Sequence, residues 1–134
     1  MPRDDWYTIE ANYVDEASGS LGVLECGKHL PFEVRRVFWV FGVPDAETMR
    51  GDHAHGELQQ VLFCAQGSCT IDLEAPDGRR ESVALAQHGP ALFLNGPVWR
   101  TMRGFTRDCA LMVLCDREYS RDRVVRDRAE FGQP

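Results

Sequence analysis

Lysine is almost absent from this chain: Lys28 is the only one among 15 basic residues, and all the others are arginines. Acidic residues outnumber basic ones, so the formal net charge is -6. A protein with this charge balance repels nucleic acid and anionic membranes, and neither is expected as a partner. Arginine suits bidentate contacts with carboxylate and phosphate oxygens, so single arginines remain candidate binding groups.

Long apolar runs are also missing. No stretch approaches the ~18 residues that a membrane-spanning helix needs, and no basic, apolar leader opens the chain. No CxxC pair occurs, and the five cysteines, an odd number, are Cys26, Cys64, Cys69, Cys109 and Cys115. Four of them lie in apolar, strand-like runs, which indicates buried, reduced thiols. We therefore expect a soluble cytoplasmic protein with one domain over residues 1–134.

What the chain does contain is a succession of short strand-like segments between glycine and proline turns. Residues 34–41 are the strongest of these because β-branched and aromatic side chains dominate them. Residues 75–78 read Ala-Pro-Asp-Gly, a hairpin turn in which proline presets φ and glycine accepts a positive φ. Helical periodicity is weak until residues 121–131, which are predicted as a polar tail or short helix. The pattern predicts an all-β sandwich or barrel.

Two histidines, His53 and His55, are separated by one residue in an extended run. Side chains of a strand alternate between its faces, so both rings are expected on the same face. Histidine titrates near physiological pH and binds metals, and the pair therefore indicates proton transfer or a metal centre. The alternative is two polar side chains at a strand edge that are satisfied by their neighbours.

The histidine pair, the later Gly67 and the Asn95-Gly96-Pro97 loop resemble the two motifs of the cupins, small jelly-roll barrels also described as double-stranded β-helices. A cupin metal is normally held by three histidines and one glutamate. Here the glutamate position is Gln60 and the third histidine position is Arg100. An arginine beside a divalent cation is electrostatically unfavourable, so we expect neither a metal nor another cofactor.

Within the cupins the chain resembles the sugar 3,4-ketoisomerases, the WxcM-like enzymes that act on dTDP-4-keto-6-deoxyhexoses. The resemblance runs from about Gly19 to Phe131. It is carried by Leu30-Pro31-Phe32, Arg36-Val37-Phe38, Arg50-Gly51-Asp52-His53-Ala54-His55, Gln60-Val61-Leu62, Gly96-Pro97-Val98-Trp99, residues 108–114 and the tail around Tyr119.

This resemblance implies an isomerase that moves a keto group between C3 and C4 of a nucleotide-linked sugar through an enediol, without a metal. His53 and His55 are then the acid/base residues, and we assign His55 as the base with His53 as its partner. The candidate substrate-binding residues are Arg50, Arg36, Gln60, Trp99, Arg100 and Phe38. Purely structural roles remain open for several of them: Arg50 as a loop brace, Gln60 as an interior amide, and Trp99 and Phe38 as core.

The chain departs from the family at three polar positions. The family tyrosine after the Arg-Val pair is Phe38 or Trp39, an early arginine is Ser18, and the histidine after the motif tryptophan is Arg100. A second class of function therefore stays open: a catalytically altered cupin that binds a sugar nucleotide or a related metabolite. A metal-dependent cupin enzyme is a third, which Gln60 and Arg100 disfavour.

The resemblance also implies a homodimer with an exchanged N-terminal strand. The apolar segment 6–9 is the candidate for that strand, because an apolar strand can add to the edge of a neighbouring sheet. Deoxysugar and surface polysaccharide biosynthesis is the expected setting. Which nucleotide and hexose are bound, and the stereochemistry at C4, are not encoded in any motif.

Overall fold

The computed structural model of the protein describes residues 5–131 and is built almost entirely of short strands. The strands are β1 (Trp6–Ile9), β2 (Asn12–Glu16), β3 (Gly19–Val23), β4 (Arg36–Phe41), β5 (Arg50–His55), β6 (Gln59–Gln66), β7 (Ser68–Glu74), β8 (Arg80–Ala86), β9 (Ala91–Asn95), β10 (Trp99–Arg103), β11 (Ala110–Cys115) and β12 (Val124–Val125). Two one-turn 3-10 helices, Tyr119–Arg121 and Arg128–Glu130, complete the described part of the chain. None of its helices is long and apolar enough to cross a membrane.

The strands form two five-stranded antiparallel sheets and a separate hairpin. The first sheet has the order β1-β9-β6-β11-β4, the second β12-β5-β10-β7-β8, and β2 pairs with β3. Neighbours in each sheet are mostly distant in sequence, as in a jelly roll, where successive strands alternate between two facing sheets. The expected all-β jelly-roll barrel of a small cupin is confirmed.

The core lies between the two sheets because inward and outward residues alternate along each strand. In β11 every second residue is fully buried, and the same alternation appears in β7. Leu62, Ile71, Leu85, Leu92 and Leu111 belong to the resulting apolar cluster. Burial of these side chains is the main stabilising contribution to the barrel.

A bulge in β5 sets the direction of the histidine side chains. The register between β10 and β5 shifts after Arg100, and both Gly51 (φ 80°) and Asp52 (φ 55°) have positive φ. A Cβ atom on Gly51 would lie 3.2 Å from the Arg100 carbonyl oxygen, so glycine permits both the conformation and the close approach. After the bulge, His53 pairs with the inward-facing Arg100.

Of the two alternatives predicted for residues 121–131, a polar tail or a short helix, the helix is limited to the single turn Arg128–Glu130. Val124 and Val125 form β12, which pairs with His55 and Ala54 at the open edge of β5. The two β-branched valines favour extended backbone, and the exposed edge supplies the hydrogen-bond partners. Beyond β12, Phe131 packs against Trp99 with its ring edge-on, at 5.5 Å between ring centroids.

Two other expectations from the sequence concern the cysteines and β1. Cys26 is exposed and the other four are buried, all as free thiols, as predicted. The apolar segment 6–9 does form a strand, and within this chain β1 pairs with β9 at the edge of the first sheet.

Candidate active site

Both histidines of the motif point into one end of the barrel and contact each other. The Nε2 atoms of His53 and His55 are 3.1 Å apart, and their rings meet edge-on. On the other side of His55, Nδ1 lies 2.8 Å from Oδ1 of Asp122. Asp122 reaches the barrel because the strand that follows it, β12, pairs with β5. The three side chains form one chain of hydrogen bonds.

The carboxylate of Asp122 determines the proton positions in this chain. A carboxylate only accepts, so Nδ1–H of His55 donates to it, and Nε2 of a neutral His55 then carries a lone pair. Nε2–H of His53 therefore donates to His55. These tautomers are inferred from the hydrogen-bond network. They leave Nδ1 of His53 as an unprotonated nitrogen.

Two arginines enter the same end of the barrel from opposite sheets. A guanidinium N–H of Arg36 donates to Oδ2 of Asp122 at 3.2 Å and another contact reaches Sγ of Cys115 at 3.5 Å. Arg100 is 1 % exposed; it donates to the side-chain oxygen of Gln60 and, at 3.1 and 3.2 Å, to the Val98 carbonyl. Because Gln60 in turn donates to Cys115 at 3.5 Å, the two arginines are joined through an amide and a thiol.

The site leaves three buried nitrogens without hydrogen-bond partners. They are Nε and one terminal nitrogen of Arg36, which are donors, and Nδ1 of His53. No other buried side-chain nitrogen or oxygen in residues 5–131 is unpaired. An unpaired buried polar atom costs about 1–3 kcal/mol, and native proteins hold few of them. Their concentration at one place indicates a site built for an oxygen-rich ligand.

Both histidines are held in the neutral form. Burial lowers the pKa of His53, and the positive charge of Arg100 acts in the same direction, while a hydrogen bond from the protonated ring to the Gly51 backbone and the charge of Asp122 oppose it. Burial and Arg100 also lower the pKa of His55, to about 3, against the opposing carboxylate of Asp122. The main physical cause is the loss of water around the charged ring on burial, and the positive charge of Arg100 adds to it.

Burial also lowers the pKa of Arg100, to about 10, and the negative charge of Asp122 opposes this shift. The guanidinium therefore stays charged at neutral pH. Donors of this kind stabilise an oxygen atom that gains negative charge, because they are already oriented towards the site and shielded from water.

The structure brings most of the predicted residues together. His53, His55, Arg36, Gln60 and Arg100 share the polar end of the barrel. Phe38 lies beside them, with the Arg36 guanidinium carbon 5.7 Å from its ring centre.

Arg50 and Trp99 are not brought to the histidine pair within this chain. Arg50 is exposed at the start of β5, where its register partner is Met102. Trp99 precedes the inward-facing Arg100 and points to the outer face, where its indole N–H donates to Asp52 at 3.1 Å. The Arg128 guanidinium stacks on the Trp99 ring at 4.6 Å. Trp99 therefore anchors the C-terminal segment.

Sequence reasoning missed three residues of the site. Asp122 lies in the charge-alternating tail, which was interpreted as a solvated surface, and Cys115 was interpreted as a core thiol. Tyr119, whose ring centre is 5.7 Å from the Arg36 guanidinium carbon, was noted only for its likeness to the family. A carboxylate two residues before a Val-Val strand was the one available signal, and it is weak on its own.

The residues at the histidine pair do not suit a divalent cation. In the described part of the chain, the two rings and a third histidine, cysteine or carboxylate do not form a group whose ligand atoms all lie within 4.8 Å of one another. The buried Arg100 lowers the pKa of both rings, so its positive charge would repel a metal ion as well.

A jelly-roll barrel with a histidine pair and two arginines at one end defines a small cupin. Residues 4–134 match the family model described as FdtA, WxcM-like, C-terminal, and the chain belongs to this family. Among curated proteins, it is 35% identical over 124 residues to the TDP-4-oxo-6-deoxy-alpha-D-glucose-3,4-oxoisomerase of Aneurinibacillus thermoaerophilus, covering 92% of this chain and 87% of that protein.

Solved structures agree with this assignment. The WlaRB TDP-quinovose 3,4-ketoisomerase of Campylobacter jejuni superposes with a TM-score of 0.88 at 31% identity, covering 98% of this chain and 100% of that one. An asparagine-for-histidine variant of the QdtA 3,4-ketoisomerase of Thermoanaerobacterium thermosaccharolyticum, in complex with TDP-4-keto-6-deoxyglucose, has a TM-score of 0.87 at 30% identity, covering 95% and 91%.

Proposed function

We propose that this protein is a 3,4-ketoisomerase of a TDP-4-keto-6-deoxyhexose that works through an enediolate and without a metal. The relatives are named for this reaction. The observation that carries the proposal is the set of three unpaired buried nitrogens, two donors on Arg36 and one lone pair on His53. Proton abstraction beside a ketone requires a base together with donors for the oxygen that becomes negative.

The hydrogen bonds lead us to assign the base to His53, where the sequence alone favoured His55. Both ring nitrogens of His55 are engaged, by Asp122 and by His53, whereas Nδ1 of His53 is free to accept a proton. When Nδ1 takes that proton, the Nε2–H bond to His55 spreads the positive charge towards Asp122. His55 and Asp122 thus orient the base and stabilise its conjugate acid.

The reaction then balances within the substrate. The C3 proton passes to His53 and the C3–H electron pair forms the C3–C4 double bond, so the C4 carbonyl oxygen becomes an enediolate oxygen. The hydroxyl proton on O3 moves to O4, and His53 returns its proton to C4. The product carries the ketone at C3. Neither an oxidant nor a reductant takes part.

Arg36 supplies the stabilising donors in this proposal. Its two unpaired nitrogens lie beside Phe38, at the position where the family resemblance places a tyrosine. A phenyl ring has no hydrogen-bond donor, and a guanidinium has five. Arg36 therefore provides to the enediolate oxygens the hydrogen bonds that Phe38 lacks.

The test is incubation with TDP-4-keto-6-deoxyglucose in deuterated water after removal of metals, followed by NMR. We expect deuterium at C3 or C4 and formation of a 3-keto sugar. Binding without exchange or conversion would contradict the enzyme and favour a cupin that binds a sugar nucleotide. The absence of both binding and exchange would contradict this substrate class.

A matched pair of variants tests the role of Arg36. Arg35, the residue directly before β4, is exposed on the outside of the barrel and forms a salt bridge with Glu33. Arg36→Met is expected to lower kcat by about 10²-fold, within the range for loss of an oriented oxyanion donor, whereas Arg35→Met is expected to keep it. Equal activity of the two variants would remove Arg36 from the mechanism.

We also propose that the protein is a homodimer. The outer face of β4, an edge strand, exposes Val37, Trp39 and Phe41 by 45, 56 and 68%. Contiguous exposed apolar side chains indicate a protein contact, and a second copy of the chain with exchanged β1 strands is the proposed occupant. Light scattering is expected to give twice the 15.2 kDa chain mass. A monomer at micromolar concentration would contradict the dimer.

We place the reaction in the cytoplasm, in deoxysugar assembly for surface polysaccharide. The support is chemical: the substrate is an activated nucleotide sugar, and a 3-keto product is a substrate for transamination.

A further inference from the structure

A second cluster of reactive side chains lies at the opposite end of the barrel. Cys64 on β6, Cys69 on β7 and Cys109 directly before β11 are each 2% exposed. The sulfur of Cys64 lies 3.8 Å from that of Cys69 and 3.8 Å from that of Cys109, and all three sulfurs lie within 4.8 Å of one another. The mechanism uses none of these thiols.

The spacing of the sulfurs fits a single bound ion. A point about 2.2–2.5 Å from all three sulfurs exists inside this triangle, close to the ~2.3 Å of a zinc–thiolate bond. No fourth histidine, cysteine or carboxylate of residues 5–131 joins the cluster. Structural zinc takes four protein ligands, so the donor set suits a soft ion that is satisfied by three sulfurs.

The backbone holds the three positions before any ion arrives. Gly67, in the turn between Cys64 and Cys69, packs so tightly that a Cβ atom there would lie 2.7 Å from Cα of Cys109. The amide of Ser68 donates to the Thr106 hydroxyl, and the amide of Thr106 donates to the Ser68 carbonyl, both at 3.0 Å. The ligands are therefore pre-organised, which reduces the entropy lost on binding.

The net charge of the ion with its three thiolates determines which ion suits this buried site. The sulfurs lie among apolar core residues such as Leu85 and Phe105, and burying a net charge in such surroundings is costly. A trivalent ion with three thiolates is neutral, whereas zinc or copper(I) with three thiolates is negative.

We propose that Cys64, Cys69 and Cys109 form a binding site for trivalent arsenic, taken up as neutral arsenous acid. Three As–OH bonds and three S–H bonds break, three As–S bonds form, and three water molecules leave. The oxidation state of arsenic does not change and no net charge is buried. Because the ion connects β6, β7 and the start of β11, it cross-links both sheets and is expected to stabilise the fold.

The test titrates the reduced full-length protein with arsenite under native mass spectrometry and follows thermal unfolding. We expect one adduct whose mass is that of arsenic less three hydrogens, together with a higher unfolding midpoint. An adduct that retains hydroxyl groups, or an unchanged midpoint, would overturn the three-thiolate site. Tighter binding of zinc or copper(I) than of arsenite, measured in the same protein, would overturn the charge argument.

Variants identify the ligands. Cys64→Ala, Cys69→Ala and Cys109→Ala are each expected to weaken arsenite binding by at least 10-fold, because two thiols remain. The exposed Cys26→Ala serves as the matched control and is expected to bind like the wild type. Phenylarsine oxide, which takes two thiols, is expected to bind the single variants, and a cooperative thermal unfolding transition reports that each is folded. Full arsenite affinity in a cluster variant would remove that residue from the site.

Discussion

The two ends of the barrel are built by the same strands and differ completely in chemistry. On β6, Gln60 faces the polar end, and Cys64 lies four residues, or ~13 Å at ~3.3 Å per residue, further along the same inward face. On β11, Cys115 belongs to the polar end and Leu111 to the apolar end. The same two strands thus contribute to both ends, and their inward side chains differ from one end to the other.

The difference shows where a fold leaves buried polar groups unpaired. At the apolar end, aliphatic groups surround the thiols, and Cys64 donates to the Leu85 carbonyl at 3.6 Å. At the polar end, three buried nitrogens stay unpaired. Unpaired buried polar atoms are destabilising until a ligand satisfies them. The unpaired atoms at the polar end therefore lower the stability of the free protein, and ligand binding restores it.

The largest expected effect comes from His53→Asn. Loss of a general base lowers the rate by about 10²–10⁴-fold, so we expect a fall in kcat of about 10³-fold with the fold retained, as measured by the NMR conversion assay and thermal unfolding. The asparagine side chain can still form a hydrogen bond with His55. Wild-type kcat in this variant would return the role of base to His55.

Leu85→Ala at the apolar end is the control for that experiment. Leu85 is fully buried, and such a truncation costs about 2–5 kcal/mol of stability. Turnover per folded molecule is expected to stay near that of the wild type. If kcat fell as far as in the histidine variant, the separation of the two ends would not hold.

Asp122→Asn is expected to have the second largest effect. The variant keeps an acceptor for His55 but removes the charge that balances Arg36 and Arg100, and breaking a buried ion pair costs about 3–5 kcal/mol. A misplaced base costs about 10²-fold in kcat. The pH profile of kcat separates the two causes: loss of the carboxylate lowers the pKa of the base, while a purely structural defect leaves the profile in place.

Acid is expected to destabilise the polar end specifically. The pKa of both histidines is lowered by burial from 6.5, for His55 to about 3. Above pH 6.5 the contribution of the two neutral histidines to the free energy of unfolding is fully present. As the pH falls below 6.5, the histidines of the unfolded chain bind protons before those of the folded chain, and this stability is lost. The slope is at most about 1.4 kcal/mol per pH unit for each histidine.

Unfolding midpoints of wild type and His55→Asn between pH 8 and about pH 5 measure this contribution. The variant is expected to show the flatter curve, since it lacks one of the two buried groups. Parallel curves would mean that His55 takes up protons equally in the folded and the unfolded chain, contrary to its burial beside Arg100.

The smallest expected effect comes from Trp99→Phe. Trp99 is buried under the C-terminal segment, away from the histidine pair, and phenylalanine keeps an aromatic ring for Arg128 and Phe131, so kcat and KM should change by under about 2-fold. Arg100→Met, one residue further and facing inward, leaves the Gln60 oxygen unpaired and should lower kcat far more. A large rise in KM for the tryptophan variant would instead support the substrate wall that the sequence predicted.

The sequence predicted the barrel well because its signals are local. Alternation within β4, β7 and β11 and the Ala-Pro-Asp-Gly turn depend on neighbouring residues, and the strand predicted at residues 34–41 coincides with β4 to within two residues. The shared face of His53 and His55 follows from the same period of two. The strands β2 and β12 were not predicted, and β12 has only two residues and exists through its pairing with β5.

What the sequence determined by itself is the all-β architecture, the histidine pair and its likeness to the sugar ketoisomerases, since strand period, turn chemistry and motif spacing are properties of the linear chain. The tertiary structure alone decided that Asp122 orients His55, that Trp99 points outward, and that Cys64, Cys69 and Cys109 meet. These relations join residues up to 67 positions apart. Their geometry depends on one bulge and on strand pairing, which no local pattern specifies.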